Sequence, residues 1–83
     1  MPLSDPRPMR AAIVAQLLLK DRGDEELIAL KERLSTPEGR QAYAAELRPI
    51  FSRQQSMSQR EVESFSVLVV ERMLGHLETR LVD

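Results

Sequence analysis

Cysteine is absent from these 83 residues, so neither a disulfide framework nor a thiolate metal site can supplement the core. Tryptophan is absent too, and the aromatics are Tyr43, Phe51 and Phe65, too few for a platform on which nucleic-acid bases stack. Glycine occurs only at positions 23, 39 and 75, which excludes a glycine-rich phosphate loop. Neither sign of charge dominates. Twelve basic and thirteen acidic residues leave a formal charge of −1, which removes any strong electrostatic drive toward DNA, RNA or an anionic membrane.

The apolar runs are short as well. AAIVAQLLLK, Ala11 to Lys20, follows Arg7 and Arg10 and has the outline of a secretion signal. Against that stand Asp5 in the basic segment, Gln16 inside the run, and Lys20-Asp21-Arg22 in place of a small-residue cleavage site. The run also falls far below the roughly 20 residues that span a bilayer. It reads as a buried helix in a soluble, cytoplasmic protein of one domain, near the lower size limit for a self-sufficient core.

What the chain does contain is a series of helix start and stop signals. Residues 1–7, with Pro2 and Pro6, form a flexible arm, and residues 8–83 a single helical domain. Pro8 suits the first turn of a helix over about 8–22. That helix is apolar almost all round: Met9, Ile13 and Leu17 on one side, Val14 and Leu18 beside them, Ala15 and Leu19 behind. Such a helix is normally enclosed by others, so it is expected at the centre of the bundle. Arg22-Gly23-Asp24 closes it, with the glycine as C-terminal stop and Asp24 as cap of a second helix over 25–34. The same tripeptide spells an integrin-binding motif, but a two-helix turn accounts for each residue. Leu27, Leu30 and Leu34 align on one face of the second helix, with Ile28 at its margin.

Ser35-Thr36-Pro37-Glu38 opens a third helix over 37–51, which carries Tyr43, Leu47, Ile50 and Phe51. Pro49 removes the hydrogen bond to Ala45 and disfavours helical angles at Arg48, which predicts an end or kink near Arg48. The polar segment Ser52 to Met57 then reads as a flexible loop.

Ser58-Gln59-Arg60-Glu61 is a capping box that opens a fourth helix over 59–81. Ser64 to Val70 looks locally like a strand, but the apolar pattern continues at helical spacing through Met73, Leu74, Leu77 and Leu81. The apolar arc covers roughly 200°, about twice what one packed face needs. It divides into two stripes. One is Val62, Phe65, Val69, Met73 and His76; the other is Val67, Val70, Leu74, Leu77 and Leu81, at the 3-4-3-4 spacing of a helix-packing seam. The second stripe is the expected partner interface, and a copy of the same chain the first expected partner.

Chemistry finds little support. His76, the sole histidine, has Arg72 and Arg80 four residues away and Met73 and Thr79 three away, which is no zinc or iron ligand set. The serines lack a nucleophile elbow, and one histidine would have to serve them all. No catalytic, cofactor or metal residue is expected, and no small-molecule substrate. The best candidates for nucleic-acid contact are Arg40, Arg48, Arg53 and Arg60, but Glu38, Glu46, Glu61 and Glu63 interleave with them.

The expected protein is therefore an all-α bundle of three to four helices that forms a homodimer through its last helix. Its expected role is that of a non-enzymatic interaction module: a small bacterial-type regulator, adaptor, inhibitor or chaperone acting through helical surfaces. The alternative is a dimeric DNA-binding regulator that uses the third helix and its arginines.

Overall fold

Residues 6–54 and 57–81 are described by the computed structural model, and their regular structure is entirely helical. The order is α1 (Pro6–Leu19), α2 (Asp24–Leu34), α3 (Pro37–Gln54) and α4 (Gln59–Arg80). The expected arm lies outside the described residues up to position 5, but Pro6 and Arg7 already belong to α1. The expected loop lies outside them at positions 55 and 56, but Ser52 to Gln54 continue α3.

The helix starts follow the local signals. Ser58 accepts from the Glu61 amide at 3.2 Å while the Glu61 carboxylate accepts from the Ser58 amide at 3.2 Å, so both halves of the capping box form. At α3 the Thr36 hydroxyl accepts from the Gly39 amide at 3.0 Å. The turn between α1 and α2 differs from expectation. Gly23 is extended (φ −75°, ψ 167°) and occupies the cap position of α2, so Asp24 is the first helical residue and not the cap. It is Arg22 that closes α1: its Nε donates to the Leu18 carbonyl at 2.9 Å, one of the carbonyls a helix leaves open at its C-terminus. A terminal Nη of the same arginine reaches the Tyr43 hydroxyl at 3.4 Å, and another lies 3.8 Å from Glu26. The arginine of the tripeptide is thus committed within the fold.

α3 also corrects a boundary. It neither ends nor breaks at Arg48 but continues through Pro49 to Gln54. The reason is tertiary: Leu47 and Phe51, on either side of Pro49, are both buried, and the Phe51 ring meets Phe65 of α4 edge to face at 5.2 Å. Ala45, whose carbonyl loses its partner, lies on the exposed side, where water can replace the missing donor.

The centre of the bundle is α4, not α1. Each of the other helices packs on α4, and α2 also packs on α3. Seven α4 residues are buried: Val62, Phe65, Val69, Val70, Met73 and Leu77, drawn from both expected stripes, and Ser66, which belongs to neither. Leu27, Leu30 and Leu34 of α2 and Tyr43, Ala44, Leu47 and Phe51 of α3 close the core. α1 contributes Ala11, Ala15 and Leu19, and the two alanines let its backbone come close to α4.

Candidate protein interface

The two α4 stripes do not divide into one for the core and one for a partner. Val70 (2% exposed) and Leu77 (0%) are core residues of the chain itself. Leu74 and Leu81 are half-buried against that core, and only Val67 is openly exposed. The expected interface of Val67, Val70, Leu74, Leu77 and Leu81 is therefore no continuous outward face. The physical reason is the short chain: three helices gather on one side of α4, and together they use more of its apolar arc than one neighbour would. Val67 remains beside a shallow groove of about 280 Å³ between α3 and α4, floored by Ala44 and Val70 and edged by Arg40 and Glu71.

The exposed apolar face lies elsewhere, on α1. Met9, Ile13 and Leu17 are 71%, 52% and 62% exposed and follow one another at four-residue spacing. At 100° per residue they centre almost opposite Ala11, Ala15 and Leu19, the side held by α4. α1 thus packs Ala11, Ala15 and Leu19 against α4 and presents Met9, Ile13 and Leu17 on the other side. This face escaped the sequence reading because a helix apolar all round was expected to be enclosed. One signal was present: Arg10, Gln16 and Lys20 all fall on the Met9–Ile13–Leu17 side, and none falls among Ala11, Ala15 and Leu19.

The four arginines proposed for nucleic acid do not form one basic surface. Arg40 is half-buried and donates to the Leu34 carbonyl at 2.9 Å, tying the end of α2 to the start of α3. Arg48 lies 3.5 Å from Glu63 of α4. Arg53 and Arg60 are exposed, but Arg53 is about 140° around α3 from Arg48. A further arginine, Arg33, pairs with Glu46 and stacks its guanidinium 5.1 Å from the centre of the Tyr43 ring, so it too serves the α2–α3 contact.

His76 is half-buried at the seam of α1 and α4, in a crease it shares with Gln16, Leu19, Thr79 and Arg80. No carboxylate among the described residues lines that crease. Among the described residues no group of three histidine, cysteine or acidic side chains is placed to hold a metal ion. Nor is any helix among them long and apolar enough to cross a membrane.

Among the described residues, Glu61 is displaced from its ordinary range. Its carboxyl is held below the usual glutamate value, first by the Ser58 amide, then by the Ser58 hydroxyl, with Arg7 adding favourable charge. That is a helix cap and no catalytic arrangement. No protein-family model, curated protein or solved structure matches this chain.

Proposed function

We propose that the protein is a non-enzymatic interaction module that recognises another protein chain through the outward face of α1. The observation that carries this reading is the exposure of Met9, Ile13 and Leu17 in one row on a helix whose opposite side is already packed. Isolated exposed aliphatics are ordinary on any surface, but a row of three at one helix register is the pattern that helix-recognition surfaces use. Four-residue spacing builds a ridge that fits the groove of a crossing helix, and Met9 adapts its shape to what it meets. The rim is polar and basic, with Arg10, Gln16 and Lys20, which suits orientation of a partner. An adaptor, inhibitor or regulator fits this geometry.

Capture from the native cell tests the reading, with wild type compared against Ile13→Asp combined with Leu17→Asp. Both positions are exposed, so the variant keeps its helical circular dichroism. A protein that co-purifies with wild type and is lost from the variant supports the reading. Identical recovery with both baits overturns it.

A further inference from the structure

Ile13, in the exposed apolar row of α1, and Ile28, an exposed isoleucine of α2, have opposite electrostatic surroundings. On a helix the residues three and four positions away are a side chain's neighbours. For Ile13 these are Met9, Arg10, Gln16 and Leu17. α1 has no carboxylate anywhere from Pro6 to Leu19, and Lys20 and then Asp21 follow it. For Ile28, which is 50% exposed, they are Asp24, Glu25, Lys31 and Glu32, three of the four acidic. Lys31 is half-buried, whereas Asp24, Glu25 and Glu32 are exposed, as is Ala29 beside them. The Ile28 flank also points away from α3: Arg33, which reaches Tyr43 and Glu46 there, is about 140° around the helix.

We propose that the outer face of α1 in one molecule docks on the Ile28 flank of α2 in a second copy of this chain. The inference rests on the reading that the α1 face binds protein, and it names the partner. Charge decides among the possible pairings. α1 against α1 brings Arg10 and Lys20 near their own kind with no carboxylate on either helix. α2 against α2 does the same with Asp24, Glu25 and Glu32. Only α1 against α2 is apolar at the centre and opposite in charge at the rim. An anionic membrane is a poorer occupant, because the chain carries a net charge of −1 and an acidic helix directly follows α1.

Size sets the strength. A few aliphatic side chains on one helix cover less than the roughly 800 Å² per partner of a standard interface. The core is complete within one copy, so folding does not depend on the contact. The association is therefore weak and concentration-dependent, and salt weakens it further.

Two charge-inverted variants test this by sedimentation equilibrium over a concentration series. Arg10→Glu with Lys20→Glu alters α1 alone; Glu25→Lys with Glu32→Lys alters α2 alone. Wild type gains mass with concentration, and each variant by itself loses self-affinity at least tenfold. The equimolar mixture recovers it, because the untouched α1 of one variant meets the untouched α2 of the other and the two inverted faces are again opposite in charge. A wild type that stays monomeric throughout, variants that associate like wild type, or a mixture that stays monomeric overturns the proposal. Should a charge variant fail to fold, Ile13→Ser and Ile28→Ser remove the apolar centres without changing charge and carry the same expectation of weakened association. Wild-type binding to phosphatidylserine vesicles that is lost in the α1 variant would overturn it in favour of a membrane. A monomeric protein whose α1 variant still loses a cellular partner overturns self-docking and leaves the proposed function standing; loss of neither overturns both.

Discussion

Gly39 lies directly against the backbone of Arg33: a β-carbon at position 39 would stand 2.8 Å from the Arg33 carbonyl carbon and closer still to its oxygen. The contact draws the end of α2 onto the first turn of α3, where Arg40 also bonds the Leu34 carbonyl. An obstruction made of backbone cannot rotate away. Gly39→Ala is therefore expected to destabilise by about 1–3 kcal/mol, despite the better helix propensity of alanine. Gly75 is the internal control, since a β-carbon there meets nothing within 4 Å. Gly75→Ala should stabilise by about 1 kcal/mol. Urea denaturation of the two variants should move the midpoint in opposite directions; a shared direction would contradict the packing described.

Pro49 sits inside α3 with Ala45 and itself on the exposed side. Replacing it by alanine supplies the missing amide donor to the Ala45 carbonyl. An interior proline costs about 3 kcal/mol, and its loss returns about 1 kcal/mol of freedom to the unfolded chain. Pro49→Ala should thus raise stability by roughly 1–2 kcal/mol. Thermal melts followed at 222 nm give the answer, and a lower midpoint would show that the proline serves the α3 geometry.

Ser66 is fully buried among the α4 core residues, and its hydroxyl has no hydrogen-bond partner. A buried hydroxyl left unbonded costs the fold its desolvation. Ser66→Ala should be neutral or stabilising by up to about 1 kcal/mol, although it removes atoms from the core. Met73→Ala, at an equally buried apolar site, should lose about 2–5 kcal/mol. If Ser66→Ala is as damaging as an ordinary core truncation, the hydroxyl has a partner in solution.

Glu61 ties the start of α4 to pH. Its folded pKa is lowered, so its contribution is complete above the ordinary glutamate value of about 4.3 and is lost as pH falls through the lower folded value. NMR titration of the Glu61 carboxyl should give a midpoint below about 4.3. Ser58→Ala removes the hydroxyl but keeps the amide, so the midpoint should return only part of the way, with a cap loss of about 1 kcal/mol. A midpoint indifferent to Ser58→Ala would mean that the box does not hold in solution.

Four helices, their order and most of their ends could be read from the residues alone. A capping box such as Ser58 with Glu61, or the Ser35-Thr36-Pro37 start, acts within four residues, so its meaning needs no knowledge of distant chain. The same holds for the period that made Ser64–Leu81 a helix and not a strand. Signals failed where a remote contact outweighed a local preference. Pro49 argued for an end to α3, but buried Leu47 and Phe51 on either side carry the helix across it. Gly23 and Asp24 looked like stop and cap, but Arg22 closes α1 by a bond whose geometry also depends on Tyr43 of α3.

The choice of faces was tertiary throughout. Periodicity identifies which residues share a side of a helix, and it says nothing of how many neighbours that side will receive. α4 and α1 both carry more apolar surface than one contact requires. Packing three helices around α4 consumed Val70 and Leu77, which the sequence offered to a partner. Docking α1 through Ala11 and Ala15 left Met9, Ile13 and Leu17 outside, which the sequence offered to the core. The amino-acid order thus determines the helices and their apolar sides, because those depend on nearby residues. Only the assembled bundle decides which apolar side faces water, because that depends on which helices compete for the same core.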